Sequence, residues 1–442
     1  MGKLPGVNRL YAPASVLLFT LILSCSPLLC SASPPVLKDI NPEGSSDPHG
    51  FTKAGEFTYF TAFHSETDRE LWRNNGSADQ TALALVLDIK QGPDSSDPDQ
   101  LTELNRVLYF TADDGVHGLE LWRTDGERTE MVKDIYPGET GSSIGVIGRD
   151  LTPMTTFMGK LYLLAMDPIY GKQIWTSDGT NEGTEVLDFL GLGPHNLDIM
   201  NFHEFQGELY FVRSKENLYK TDGAAAGTVR VGFIDFDRLD ALTSIGDAFY
   251  AVLRSDLNQS VLGTLVDGKL AVLKVMPATG FQQTFIRDMT EFQGELFFRV
   301  DYHYRGGAFL DSEFWKSDST TDGTVKEEST DEIYGVHNGE LYFTTNSTLA
   351  KYQSNGQNIR IGPVAPYELV GVDGRLFVAG FGSENPTRDG LELWISNGTF
   401  EGTDLLKDIW PGRKGSFPQN LTAFGGRAYF TADDRQNGRE MW

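Results

Sequence analysis

The sequence predicts an all-β chain folded as a β-propeller of four-stranded blades, and three observations predict it. One stretch, VLYFTADDGVHGLELWRTDGERTEMVKDI over 107–135, recurs along the chain at intervals of roughly 45 residues, the period of propeller blades and solenoid turns. Glycine-containing pairs separate its strand-like runs. The two ends of the chain carry complementary fragments of the same unit.

Within one unit, Leu101 to Leu104 and Val107 to Ala112 read as two short strands. In other copies the pairs Gln206-Gly207, Gln293-Gly294, Asn338-Gly339 and Asp373-Gly374 lie between them, and such pairs suit the left-handed backbone of a two-residue hairpin turn. A polar loop from Asp113 to Gly118 leads to a third run, Leu119 to Trp122. Asp125-Gly126 then turns the chain into a fourth, Met131 to Ile135. Four antiparallel strands make a blade, and blades repeated radially make a propeller. The continuous apolar run Leu108-Tyr109-Phe110 predicts burial on both faces, with aromatic rings filling the wedge between blades.

Second strands centre on Tyr59, Tyr109, Tyr162, Tyr210, Phe249, Phe297, Tyr342, Phe377 and Tyr429, which counts nine blades. The copies starting near Tyr210, Phe249 and Tyr342 lack the third-strand tryptophan, so eight blades stays open. The run Val36 to Ile40 matches a fourth strand and Glu440 to Trp442 a third. Pairing the two would close the ring through the last blade and remove two exposed sheet edges; a truncated last blade is the alternative.

The runs QIWTSDGTNEGT (173–184) and ELWISNGT (392–399) resemble the ELWxxDGT, or hyalin-like, repeat proteins. Asn397 stands where that motif has Asp, and Gln173-Ile174 where it has Glu-Leu. The resemblance implies a secreted or surface repeat protein of propeller type, with no established chemistry.

Residues 1–33 lie outside the repeats. Lys3 and Arg9 precede the apolar run Val16 to Leu23, and Ser31, Ala32 and Ser33 follow, the order of a secretory signal peptide cleaved after Ala32 or Ser33. The run is short for a membrane span, with a signal anchor as the alternative. Residues 34–442 then form one propeller domain, secreted or at the cell surface. Both cysteines, Cys25 and Cys30, fall in the leader, so the mature chain relies on its core and not on disulfides. A formal charge of -25 argues against nucleic acid and anionic membranes as partners.

A residue repeated in every blade is expected to be scaffold. Asp125, Asp178, Asp222 and Asp318 recur in the third turn, where a short carboxylate accepts local backbone N–H groups; calcium is the other reading of these loops. The pairs Asp113-Asp114 and Asp433-Asp434 offer oxygen ligands but lack the ordered spacing of an EF-hand. The seven histidines, His49, His64, His117, His195, His203, His303 and His337, show no metal-ligand spacing, and no phosphate loop or nucleophile elbow is present. No cofactor is implied. Function is expected where the repeat breaks, foremost at Tyr302, His303, Tyr304 and Arg305, whose aromatic and cationic groups suit a sugar or a protein. Arg213 and Arg254 occupy similar places. Five Asn-x-Ser/Thr sequons, at Asn75, Asn258, Asn346, Asn397 and Asn420, are glycosylation candidates, with Asn75 and Asn397 expected to be exposed. The reading is an extracellular binding module for a glycan or protein. The alternatives are a polysaccharide-processing hydrolase or lyase with its site in the central channel, and a structural matrix protein.

Overall fold

A computed structural model describes residues 36–76, 83–144, 146–147, 150–151, 154–169, 171–187, 199–214, 217–232, 238–255, 258–278, 282–327, 332–353, 358–382 and 390–442. The leader expected over residues 1–33, both cysteines and His195 lie outside the described residues.

Nine antiparallel sheets follow one another along the chain as the blades of a propeller. They span 49–87, 99–133, 155–186, 199–232, 238–275, 282–326, 333–360, 364–407 and 419–441. The three copies that left the count open, blades 4, 5 and 7, each form a full four-stranded sheet, which settles the number at nine. Among the described residues the helical structure is one 3-10 turn, Ala225–Gly227.

Blade 2 shows how residues become strands. Its strands run Asp99–Leu104, Val107–Asp113, Leu119–Thr124 and Thr129–Lys133. Five consecutive residues of the second strand, Leu108 to Ala112, are buried, because each of its faces meets a neighbouring blade. The apolar clusters accordingly lie between blades. One joins Ala54, Tyr59 and Leu71 of blade 1 to Leu108, Phe110 and Trp122 of blade 2. Each fully buried ring of this kind contributes about 1.5–3 kcal/mol. The tryptophan has a polar reason as well: the Trp122, Trp394 and Trp442 indoles donate to Ala112 O, Gly380 O and Ala432 O at 3.1–3.2 Å.

Consecutive first strands pack against one another, as in blades 9, 1 and 2, and so line the inside of the ring. The hairpin pairs turn as expected, with Gln206 and Gly207 at φ 50° and 75° and Asn338 and Gly339 at 53° and 74°. Eight of the nine first strands also carry a register shift that the sequence did not announce. A bulge re-aims a side chain, and these aim sideways at the next blade. Gln100, at φ 54°, donates to Ile144 O at 2.9 Å and accepts from Met154 N at 3.0 Å. Asn201 likewise donates to Asp240 O at 3.1 Å.

The ring closes through the N-terminal segment. Lys38 bridges Met441 in antiparallel register, its N–H donating to Met441 O at 2.7 Å, so that blade 9 receives its fourth strand from the other end of the chain. Ile40, Phe60, Ala62, Tyr429 and Met441 form the apolar cluster across this seam.

Candidate functional site

The repeated acids are taken up by the scaffold. Glu120 is fully buried and accepts from Ile135 N at 3.0 Å and Tyr136 N at 2.9 Å. Glu392 does the same for Ile409 N, Trp410 N and Ser416 N, and Glu70 for Ile89 N and Ser96 N. A third-strand carboxylate thus ties down the backbone that leads to the next blade. Burial pushes the Glu70, Glu120 and Glu440 carboxyls up to about 7, with Asp88, Asp134 and Asp39 beside them adding to the rise.

The third-turn motif is equally structural. Asp178 Oδ1 accepts from Thr180 N at 2.9 Å and Thr180 Oγ1 at 2.7 Å. Thr180 Oγ1 accepts from Gly183 N at 2.9 Å, and Thr184 Oγ1 donates to Thr180 O at 2.6 Å. Asp318 and Asn397 repeat the pattern, so Asn replaces Asp there without loss of the acceptor. The second glycine of the motif is required by space, since a Cβ on Gly183 would lie 2.1 Å from Asp178 Oδ1.

The loop acids behave alike. Asp114 Oδ1 accepts from Val116 N and His117 N, and Asp434 Oδ1 from Gln436 N and Asn437 N. His117 Nδ1 lies 2.8 Å from Asp114 Oδ2. His203 reaches Ser244 Oγ at 3.0 Å, and His337 reaches Tyr334 O at 3.3 Å. Among the described residues no group of three or more His, Cys, Asp or Glu side chains is arranged to hold a metal ion.

Blade 6 breaks this pattern. Its second and third strands, Glu295–Tyr304 and Phe309–Ser317, have 10 and 9 residues, against 7 and 6 in blade 2. The extra pairs lengthen the hairpin at the end where second strands meet third strands. Three of the four expected site residues stand on its second strand and Arg305 in its turn, but their environments differ. Tyr302 is buried, and its hydroxyl donates to Glu313 Oε2 at 2.6 Å. His303 donates from Nδ1 to Gly307 O at 3.1 Å, its ring held edge-on between Phe285 and Phe309. Tyr304 is half-exposed at the tip.

The residue that sequence reasoning missed is Glu313. It opposes Val300 as Glu120 opposes Ala112, so it is the blade 6 counterpart of the buried repeat glutamate. Here the carboxylate turns elsewhere, accepting from Tyr302 Oη, Trp315 Nε1 at 3.0 Å and Lys326 Nζ at 2.7 Å. Burial opposes its charge, yet these three donors hold it below the usual carboxylate range, so it is ionised at neutral pH. With Gln282, Tyr302, Leu310 and Asp311 it lines a cleft of about 470 Å³. Leu310 lines it from the tip, and Phe309, 61% exposed, packs edge-on against His303 of the same hairpin. The signal in the sequence was the added length between Phe297 and Trp315.

Arg213 and Arg254 are engaged internally. Arg213 lies over Tyr219, and Arg254 forms an ion pair with Asp240 at 2.7 Å while covering Phe285. Of the sequons, Asn75, Asn258, Asn346 and Asn420 are exposed. Asn397 is half-buried instead, because its Oδ1 serves the third turn.

No family model matches the chain, and no curated protein matches it. Among solved structures, a puromycin hydrolase is 13% identical with a TM-score of 0.39; the match covers 76% of this chain, which spans 59% of that protein's length. An oligogalacturonate lyase in complex with manganese gives 10% identity and a TM-score of 0.40 over 71% of this chain and 90% of the lyase. BamB from Moraxella catarrhalis gives 12% and 0.34 over 63% and 83%. None of these distant likenesses bears on function.

Proposed function

We propose that this propeller is a secreted, extracellular binding module, that it belongs with the ELWxxDGT repeat proteins, and that its principal ligand is a glycan held at the lengthened hairpin of blade 6. The observation that carries this reading is the redirected glutamate. In four other blades the equivalent carboxylate is spent on the backbone that leads to the next blade, whereas Glu313 lines a cleft in ionised form. Carboxylates such as Glu313 and Asp311 accept hydrogen bonds from sugar hydroxyls, Gln282 can both donate and accept, and exposed rings such as Tyr304 and Phe309 offer faces for the apolar side of a pyranose. The cleft falls within the size range of small-ligand sites.

A ligand that binds only the folded state raises its unfolding midpoint in a concentration-dependent way. Thermal unfolding of the secreted form is therefore to be scanned against a glycan panel, with and without calcium. The expected result is a sugar-dependent rise that disappears in Tyr304→Ala and Phe309→Ala. A rise with calcium alone, or a sugar-dependent rise that survives both substitutions, overturns the assignment and moves attention to the acidic loops. Binding of a protein and no sugar would replace the glycan while keeping the surface.

A further inference from the structure

In blades 3, 4, 6 and 8 the third turn rests on the tyrosine of the blade before it. A Cβ on Gly179 of blade 3 would lie 2.0 Å from the Tyr109 hydroxyl of blade 2, and one on Gly223 of blade 4 would lie 3.1 Å from the Tyr162 hydroxyl of blade 3. A cation opposite the tyrosine completes the seat. Arg123, paired across the sheet with Tyr109, donates from Nη1 to Gly179 O at 2.9 Å, and Arg73, paired with Tyr59, donates to Gly126 O.

Blade 4 has the same seat with nothing in it. Tyr210 pairs with Lys220 in the corresponding register. The third turn of blade 5, however, is reduced to the two-residue hairpin Asp267-Gly268 between Ser260–Val266 and Lys269–Val275, and a Cβ on Gly268 would meet nothing within 4 Å. A half-open cleft of about 730 Å³ lies where the full turn would sit, with Tyr210, Lys220 and Phe249 among its walls. Inside it Lys220 Nζ donates to Glu208 Oε2 at 2.8 Å, and the Tyr210 hydroxyl lies 3.3 Å from the same oxygen. The rim carries the exposed acids Asp247, Asp267 and Asp318, so beyond the Lys220–Glu208 pair the cleft is negative.

We propose that this cleft docks a glycine-containing β-turn of a partner protein, flanked by basic residues, in the place left by the missing turn of blade 5. The Lys220 ammonium would switch part of its bonding to the turn's carbonyl, as Arg123 does for Gly179, and the acidic rim would select lysine or arginine on either side. The site lies at the end of the ring where first strands turn into second strands. The blade 6 hairpin tip lies at the opposite end, so this inference stands independently of the glycan reading.

The test uses the full propeller and a fluorescein-labelled peptide carrying residues 177–184, the blade 3 turn, between lysines. Fluorescence anisotropy should rise saturably on titration with the protein. Replacing Asp267-Gly268 by the blade 3 turn fills the cleft in place and should weaken binding at least tenfold. Should that graft not fold, the Asp247→Lys, Asp267→Lys double variant, altered only at exposed hairpin positions, should weaken it about threefold or more through charge reversal. Absence of saturable binding overturns the proposal, as does undiminished binding to a folded graft or to the double variant.

Discussion

Glu440 accepts hydrogen bonds from Ser46 N at 2.7 Å and from Ser46 Oγ, joining the third strand of the last blade to a residue 394 positions earlier in the chain. The same carboxylate accepts from Ile40 N at 3.0 Å. The bonding that Glu70 and Glu120 use to secure the step to the next blade is here used to close the ring.

Glu440→Ala therefore leaves buried backbone N–H groups without an acceptor, and it should lower stability by about 2–4 kcal/mol. Glu440→Gln should cost markedly less, since Gln173 fills the equivalent, buried place in blade 3. Equilibrium denaturation of both variants checks the order; equal losses would refute a hydrogen-bonding role.

The pH dependence follows from the same residues. With their carboxyls raised to about 7 by burial, Glu70, Glu120 and Glu440 bind protons in the folded state that the unfolded chain has released above its ordinary value of 4.5. Their contribution to stability is full below about 4.5 and declines as pH rises toward 7, since the slope follows the difference in bound protons. Asp114, Asp125, Asp178, Asp318 and Asp434, held low by backbone and side-chain donors, act in the opposite sense below the usual Asp range. The unfolding midpoint should thus fall between pH 5 and 8, and Glu→Gln at any of the three positions should flatten that slope. A midpoint that is flat over this interval in the parent protein contradicts the assignment.

Two glycine classes should separate cleanly. Gly183→Ala and Gly323→Ala drive a methyl against Asp178 or Asp318 and should cost about 2–3 kcal/mol. Gly207→Ala, at φ 75° with open space around it, should cost only about 1 kcal/mol of backbone strain. Thermal midpoints of the three variants measure the difference.

At the blade 6 hairpin, Tyr304→Ala and Phe309→Ala remove largely exposed rings and should lower the unfolding free energy of the unliganded protein by about 0.5 kcal/mol, the Phe309 variant by the larger amount because its ring packs on His303. Tyr302→Phe deletes a buried hydroxyl bonded to Glu313 and should cost about 1–2 kcal/mol, because the acceptor is charged. If the exposed-ring variants prove as destabilising as Tyr302→Phe, the tip is packed and not a binding surface.

The blade pattern was legible in the sequence because it depends on local chemistry repeated many times. Asn338-Gly339 dictates a tight turn, Leu108-Tyr109-Phe110 dictates a strand buried on both faces, and Asp178 with Thr180 and Gly183 closes a turn within a few residues. Even ring closure showed, since Val36 to Ile40 and Glu440 to Trp442 are complementary parts of one unit. What the tertiary structure alone decided is which repeated groups are spent on the scaffold and which are left over. Glu313 and Glu120 occupy the same register, yet one lines a cleft and the other is enclosed, because the lengthened second strand brings Tyr302 to Glu313 and Lys326 stands where blade 2 has Met131. Tyr109 is covered by the third turn of the following blade and Tyr210 is not, because that turn in blade 5 is reduced to Asp267-Gly268. Such differences arise between segments distant in sequence, where no local periodicity carries the information.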